Sequence, residues 1–431
     1  MGRARQIASA ENRDTILLDG SDGTSADAGD HLLLDASAAT TDVGFFLNTE
    51  VGTTETPPEG FVNTSSLAAN AVDNTKIASE AIKLENLTED ATDTTNRNVV
   101  INGAMNVQQR GDATGLGASS AYVIDRLEID SGGGAARLSA SQADVTDLPG
   151  FTHALKLDCT TVDSSVASGD LFMLRTTLEG QDVQHFKKGT SEAKGWVLSY
   201  YARVDGGSKT GCIELVDSQN SRHVAANFRA TNTWQRFVHY FPADTTGTLD
   251  NDNSDTIRLL WWLMAGSTYA SGSIQSSWAS QSNSNRAAGT DNFFDSTDNN
   301  FFIPGIQLEA GDTLTAFEKE PPEKSLRRCQ RYFYKPKSIV GAASENGNMG
   351  RLVSAAGNLN DFNGCIAFPV TMRADPTVAI TDSVESGLGT ALNGIVTTNA
   401  DIYGIDFVRT TDDANAGRAS LDVRGSVDID F

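Results

Sequence analysis

The sequence predicts a mostly β protein whose largest part is an antiparallel sandwich of two sheets. Apolar residues recur at every second position in several short segments, and Asp, Asn and Gly separate these segments. The composition agrees, because 39 glycines stand against 10 prolines and no apolar run approaches the ~18 residues of a membrane-spanning helix. Short amphipathic strands joined by polar turns bury their apolar faces by packing as facing sheets.

Four segments carry this prediction. Segments 195–207 and 232–241 alternate between two faces, whereas segment 256–266 is apolar on both. Segment 300–317 is also apolar on both faces, as an inner strand requires, and is predicted to be the last core strand of the sandwich. After its turn, Leu314 and Phe317 are expected to return to the core.

At 431 residues the chain is expected to hold two or three domains, given about 150 residues per domain. Changes in composition predict an attachment arm (1–50), a linker and shaft (51–96), the sandwich (97–320), a connector that forms a short helix or strand (321–337), and a small C-terminal β-domain (338–431). Strand-like segments with Gly and Asp turns define the last of these.

The net charge of −23 argues against a nucleic-acid partner, because phosphate binding requires a basic face. The charge is uneven, since residues 1–96 hold five Lys or Arg against seventeen Asp or Glu. The first fourteen residues lack the apolar region of a secretory signal peptide, and no membrane insertion is predicted.

A short repeat marks the arm, where Leu-Leu-Asp occurs at 17–19 and again at 33–35. Each copy predicts a strand of three to four residues, too small to fold alone, so the arm is expected to order against a larger particle. The candidate attachment residues are Arg3, Arg5, Leu17, Leu18, Leu33 and Leu34. A disordered acidic leader is the alternative, and calcium binding by the Asp-rich turns stays open.

The shaft shows apolar residues spaced by five, which fits neither a helix nor a strand. Such spacing suits three chains that wind around one axis and each contribute one residue per layer. The predicted trimer contacts are Leu67, Val72, Ile77, Ile82 and Leu87. A plain interdomain linker is the alternative.

No catalytic, cofactor-binding or metal-binding residue is predicted. The five histidines never occur at HxH or HxxxH spacing, and no GxSxG motif is present. The four cysteines lack CxxC spacing and are predicted to be free, buried thiols: Cys159, Cys212, Cys329 and Cys365.

The polar segment 266–291 is the candidate binding loop. It carries Tyr269 and Trp278, which a fully solvated loop does not need, together with Arg286. Aromatic rings stack on the flat C–H faces of sugars and polar side chains bond the hydroxyls, so these three residues are candidate glycan or receptor contacts. Alternatively, Trp278 folds back as a lid on the sandwich.

Several motifs occur in order along the last three quarters of the chain. They are NVVINGAMNVQQRG (98–111), YVIDR (122–126), GIQLEAG (305–311), CQRYF (329–333) and FPVTMRADPTV (368–378). The chain thereby resembles bacteriophage tail fibres and related virion proteins. The shaft segment is similar to repeats of trimeric fibre shafts, and the strands at 199–204, 233–237 and 303–311 are similar to those of jelly-roll carbohydrate-binding modules.

The resemblance implies a homotrimeric fibre of the virion, assembled in the host cytoplasm. Residues 1–50 are then expected to bind proteins of the tail, baseplate or neck, and the β-domains, including the C-terminal tip, to bind a host-surface glycan or receptor. No enzymatic activity is expected. A structural or decoration protein without glycan binding is the alternative; a polysaccharide depolymerase is less favoured, because long β-helix repeats are absent from the sequence.

Overall fold

The computed structural model describes residues 96–117 and 120–335 in full. Elsewhere it describes the backbone of 5–6, 15–17, 33–35, 348–353, 361–386, 396–410 and 420–430, with side chains at 365–379, 400–406 and 428–430. The chain separates into two compact units, Met1–Asn86 and Leu87–Phe431. Within the described residues, no helix is long and apolar enough to cross a membrane.

The first unit contains three short antiparallel strands, β1 (Arg5–Gln6), β2 (Thr15–Leu17) and β3 (Leu33–Asp35), in the order β1-β2-β3. The two Leu-Leu-Asp copies meet here, since Leu17 of β2 pairs with Leu33 of β3. Arg3 and Leu18 lie outside the described residues, as do all the predicted shaft contacts, Leu67, Val72, Ile77, Ile82 and Leu87. Attachment and trimerisation therefore stay predictions.

Two seven-stranded antiparallel sheets form the predicted sandwich. The first sheet contains β4 (Ala113–Leu116), β7 (Arg137–Asp144), β8 (His153–Thr161), β10 (Trp196–Val204), β13 (Gln235–Phe241), β16 (Asn300–Ile303) and β17 (Gln307–Ala310). The second contains β5 (Ala121–Ile124), β6 (Leu127–Gly132), β9 (Leu171–Glu179), β11 (Lys209–Asp217), β12 (Arg222–Ala230), β14 (Asp255–Ala265) and β15 (Ala279–Ser280).

The strand order is β13-β10-β16-β8-β7-β4 in the first sheet, with β17 also on β10, and β15-β12-β11-β14-β9-β6-β5 in the second. The main core lies between the sheets and contains Trp196, Tyr200 and Trp261. Strand β14 is buried on both faces as predicted, because Trp261 enters this core while Trp262 packs on the outer side of the second sheet.

The prediction of one continuous strand at 300–317 is wrong in one respect. Residues 301–309 are buried on both faces as expected, but Pro304 and Gly305 divide them into β16 and β17, which both pair with β10. Gly305 has φ +70°, and a Cβ there would lie 2.6 Å from the Phe151 ring, so only glycine fits. Beyond the turn, Phe317 is half-buried against Phe151 rather than in the main core.

The predicted connector forms both a helix, Pro322–Gln330, and a strand, β18 (Phe333–Tyr334). It leads to β19 (Asn348–Val353), β20 (Asp361–Ala367), β21 (Thr377–Ser386), β22 (Val396–Ala400), β23 (Gly404–Thr410) and β24 (Ser420–Asp428). These strands form one sheet in the order β18-β24-β19, with β21 on β24, and another in the order β20-β23-β22. The C-terminal region is thus β as predicted, whereas the domain boundaries stay predictions.

Three of the four predicted buried thiols are buried, at Cys159, Cys212 and Cys329. The prediction for Cys365 is wrong, because this residue is exposed. It lies in β20 opposite Asp406 of β23, on the outward face of that strand pair, while the neighbouring Ile366 faces the small core of the region.

Candidate functional site

The candidate loop, residues 266–291, folds against the outer side of the second sheet. A short helix, Ser267–Ala270, and a 3-10 helix, Asn283–Asn285, give it internal structure. Its two ends are tied together, since the Ala287 amide donates to the Tyr269 carbonyl at 2.9 Å and Gly272 donates to Ser284 at 2.8 Å. The loop is therefore a packed cover on the sheet.

Two of the three predicted contact residues meet at one ring under this cover. The Tyr269 ring lies 5.3 Å from the Trp262 ring, and the Arg286 guanidinium lies 4.9 Å from it. Arg286 Nε also donates to the fully buried Glu214 at 3.0 Å. Glu214 accepts a second bond from Trp262 Nε1 at 2.9 Å and contacts His223 Nδ1 at 2.9 Å.

Trp278, the third predicted contact, packs elsewhere. Its ring lies 6.1 Å from the core residue Trp196, and its Nε1 donates to the Pro242 carbonyl at 2.9 Å. The buried Lys188 ammonium, which pairs with Asp244 at 3.1 Å, lies 5.2 Å from the Trp278 ring. This arrangement matches the lid alternative, so Trp278 and Arg286 both use their polar atoms inside the chain.

A different surface gathers aromatic and charged side chains on the outer side of the first sheet. Arg203 of β10 pairs in register with Phe302 of β16, and Phe302 pairs with Lys156 of β8. Trp234 immediately precedes β13, whose first residue pairs with Ala202 of β10. These four residues, Trp234, Arg203, Phe302 and Lys156, form a row across the sheet that we call the aromatic–cation row.

The contacts within the row are close. The Arg203 guanidinium lies 4.1 Å from the Phe302 ring and 5.1 Å from the Trp234 ring, and the two rings are 6.2 Å apart in an edge-to-face arrangement. The Lys156 ammonium lies 6.0 Å from the Phe302 ring. Such cation–π contacts are worth about 0.5–1 kcal/mol at exposed sites, so the cations have preferred positions over the rings.

Carboxylates border the row. Asp205 accepts from Arg203 at 2.8 Å, Asp158 accepts from Lys156 at 3.3 Å, and Asp147 accepts from Trp234 Nε1 at 2.9 Å. The side chains of Asp158 and Asp205 are 39% and 35% exposed, so these pairs face solvent. Exposed ion pairs contribute only about 0–1 kcal/mol each, and their stabilising value gives little reason for this concentration of charge.

More aromatic side chains continue the surface beside the row. Tyr201 of β10 lies 5.3 Å from Phe151, and Phe151 lies 5.0 Å from Phe317. Arg236 Nη2 donates to the Thr315 carbonyl at 2.9 Å, which holds segment 312–318 against this face. The outer side of the first sheet therefore offers rings, cations and carboxylates within one area, the combination that stacks on a sugar ring and bonds its hydroxyls.

Sequence analysis did not find the aromatic–cation row. One signal was present, because the second face of segment 195–207 carries Tyr201 and Arg203. The positions of Lys156, Trp234 and Phe302 beside Arg203 depend on strand order and register, which join residues far apart in sequence.

The sequence motifs form structural contacts rather than a ligand site. In the first motif, Asn98 Nδ2 donates to the Ile306 carbonyl at 3.0 Å and its Oδ1 accepts from the Leu308 amide at 3.1 Å. A Cβ on Gly103 would lie 2.0 Å from the Ile306 oxygen, so glycine is required where the opening and closing motifs touch. These contacts join the start of the sandwich to β17.

The remaining arginines of the motifs join the sandwich to the last described residues of the chain. Arg110 donates to Asp428 at 3.0 Å and Asp430 at 2.5 Å, and Arg126 donates to Asp430 at 2.7 Å. Their guanidinium groups stack over motif rings, Arg110 on Phe333 at 3.6 Å and Arg126 on Tyr332 at 3.4 Å. We call this group the arginine joint.

Two carboxyl groups beside the joint are shifted in opposite directions. Burial raises the pKa of Asp125 to about 6, although bonds from Gln109 and the charge of Arg110 oppose the shift. Burial also acts to raise the pKa of Glu179, but hydrogen bonds from Arg331 and Tyr332 outweigh it and hold that pKa below its ordinary value. Glu179 thus forms a bidentate ion pair with Arg331 at 2.9 Å.

No family model matches the chain, and no curated protein matches it. Several solved structures are similar at low identity. The enzymatically active domain of tailspike protein 4 of bacteriophage CBA120 is 10% identical, with 50% of this chain and 21% of that chain covered and a TM-score of 0.26. TmCBM61 in complex with β-1,4-galactotriose is 9% identical, with 50% and 99% covered and a TM-score of 0.25.

The family 11 carbohydrate-binding module of Clostridium thermocellum, in complex with a mixed-linked tetrasaccharide, is 11% identical over 48% of this chain and 98% of that chain, with a TM-score of 0.24. TM-scores and identities this low establish neither a family nor a ligand for this chain.

Proposed function

We propose that this chain is a bacteriophage tail-fibre protein that binds a glycan of the host cell surface through the outer side of its first sheet. The aromatic–cation row carries the glycan part of the proposal, and the resemblance of the sequence motifs supports the virion part. In this proposal residues 1–50 attach to the tail, baseplate or neck, and three chains associate along the shaft.

The row suits a sugar for two reasons. Trp234 is only half-buried and offers a ring for stacking, while the Phe302 ring, 7% exposed, supports Arg203 from below. Arg203 and Lys156 supply hydrogen-bond donors, and Asp158 and Asp205 supply acceptors, so both kinds of hydroxyl contact are available without charge excess. The existing ion pairs already position these groups, which lowers the entropy lost on binding.

A single open surface of this kind binds weakly. Three copies in one fibre, and several fibres on one particle, raise the overall affinity by effective concentration without any new contact. The proposal is therefore one of multivalent binding rather than catalysis, with the protein assembled in the host cytoplasm and working in the virion.

The test uses the full-length protein and its oligomeric mass. Binding to a panel of host-surface polysaccharides is measured for the parent chain, Trp234→Ala and Tyr269→Ala. Loss of the Trp234 stacking contact is expected to weaken binding about tenfold. Tyr269→Ala is the matched control, since Tyr269 is also a half-buried aromatic residue but lies on the second sheet's outer side.

Loss of binding in Tyr269→Ala with full binding in Trp234→Ala contradicts the site and favours the candidate loop. A fibre found on purified particles that binds no polysaccharide favours the structural alternative, for which the inward packing of Trp278 and Arg286 is the supporting observation. Release of oligosaccharides from host capsule favours a depolymerase.

A further inference from the structure

A second exposed aromatic residue lies in the C-terminal region, at the turn that joins β22 to β23. Among the described residues, Tyr403 is the most exposed large hydrophobic side chain, at 65%, ahead of Tyr240 at 59%. Exposing a ring costs hydrophobic stabilisation, so a tyrosine presented to solvent in this way points to a contact with something outside the chain.

The backbone that carries Tyr403 is firmly held. Asp401 Oδ1 accepts from the Tyr403 amide at 2.8 Å and the Gly404 amide at 3.0 Å. The Tyr403 carbonyl accepts from the Phe368 amide at 2.9 Å, and the Ile402 carbonyl accepts from Met372 at 2.8 Å. A ring on a fixed turn loses little conformational entropy on binding, as in other rigid aromatic anchors.

Small side chains make a floor beside this ring. Ala367 pairs with Gly404 and Cys365 with Asp406 on the outward face of β20 and β23, at the base of a groove of about 480 Å³. Glycine is required at 404, because a Cβ there would lie 2.6 Å from the Ile366 oxygen. The floor therefore allows a flat ligand to approach the sheet while Tyr403 forms a wall.

The groove is acidic. Asp401 and Asp406 line it, and no Lys, Arg or His is among its described lining residues. A carboxylate offers about four acceptor positions, so Asp401 retains capacity beyond the two backbone bonds that it accepts. A ligand with hydroxyl or ammonium donors fits this chemistry, whereas a ligand with its own carboxylates is repelled.

From the exposed ring, the fixed turn, the small-residue floor and the acidic rim, we infer that the Tyr403 groove is a second saccharide subsite, specific for sugar residues that carry no acidic group. The inference rests on the proposed glycan-binding role and adds to it the ligand class of the C-terminal region.

The experiment titrates the full-length protein with neutral, amino-bearing and uronic-acid oligosaccharides, observed by saturation-transfer NMR and calorimetry. Tyr403→Phe keeps the ring and is expected to bind neutral sugars within about twofold of the parent. Tyr403→Ala removes the wall and is expected to weaken this binding at least about tenfold. Ala367→Leu keeps Tyr403 but fills the floor, and the same loss is expected.

Trp234→Ala separates this inference from the proposed function. Neutral-sugar binding that is unchanged in both Tyr403→Ala and Ala367→Leu, with Trp234-dependent binding intact, overturns the subsite alone. Tyr403-dependent binding of the uronic-acid probe overturns its specificity. Oligolysine that binds in a Tyr403-dependent way, with no neutral sugar bound there, assigns the groove to a basic peptide and overturns the inference. Absence of Trp234-dependent binding overturns the proposed function instead.

Discussion

The outer sides of the two sheets carry the same three-part arrangement in different surroundings. On the second sheet, Glu214 holds Arg286 at 3.0 Å over the Trp262 ring, 4.9 Å away. On the first sheet, Asp205 holds Arg203 at 2.8 Å over the Phe302 ring, 4.1 Å away. The Glu214 side chain is fully buried beneath the 266–291 loop, whereas that of Asp205 is 35% exposed.

The comparison shows that burial, rather than the residue types, separates a structural contact from a candidate binding surface. Under the loop, the ion pair has to satisfy every polar atom, because an unpaired buried charge is costly. On the open sheet the same groups remain hydrated and can exchange water for a ligand at small cost.

The largest expected effect tests this difference through stability. Glu214→Ala leaves Arg286, Trp262 Nε1 and His223 without their shared partner, and we expect the free energy of unfolding to fall by about 3–5 kcal/mol. Asp205→Ala removes the equivalent carboxylate from the open face and is expected to cost about 0–1 kcal/mol. Denaturant unfolding of both variants measures the two losses, and equal losses contradict the comparison.

Acid is expected to weaken the edge of the covered sheet near Trp278. Burial acts to raise the pKa of Asp244, but hydrogen bonds from Arg222 and Lys188 outweigh it and hold the pKa below the ordinary 3.8. The folded state therefore binds this proton less tightly than the unfolded state, so the contribution is present above pH 3.8 and is lost as pH falls through the folded-state pKa.

Unfolding measured between pH 7 and pH 2.5 checks this. The decline in the free energy of unfolding is expected to be smaller in Asp244→Asn than in the parent chain. A decline of the same size in both proteins assigns it to other carboxyl groups.

The smallest expected effect concerns the cation of the open face. Arg203→Lys keeps the charge but loses the planar group that stacks on Phe302 and Trp234, so binding of the polysaccharide is expected to weaken about three- to tenfold, with a change in stability under about 1 kcal/mol. Arg286→Lys is the matched substitution under the loop and is expected to leave binding unchanged. Weaker binding in Arg286→Lys than in Arg203→Lys moves the site to the second sheet.

Much of the fold could be predicted from local patterns. Alternation over 195–207 and continuous apolarity over 256–266 determine which faces of β10 and β14 are buried, because side chains alternate along a strand. The break between β16 and β17 was missed although Pro304 and Gly305 signal it, because the apolar pattern runs through both residues.

The candidate site could not be predicted in the same way. Trp234 and Trp278 both stand in polar surroundings in the sequence, yet one faces outward beside Arg203 and the other covers Trp196. Only the path of the chain between sheets decides this. Exposure of Cys365 is likewise set by its position on the outward face of β20, since the residues around it are apolar.

The arginine joint has a consequence for how this protein is made. Arg110 and Arg126 are synthesised about three hundred residues before Asp428 and Asp430, which neutralise them. A chain halted on the ribosome before Asp428 holds two guanidinium groups at the sandwich without their carboxylates, so its last packing step has to await the end of translation. Truncated products are thereby left less stable than finished ones and open to proteolysis, which gives a growing assembly a means to exclude them.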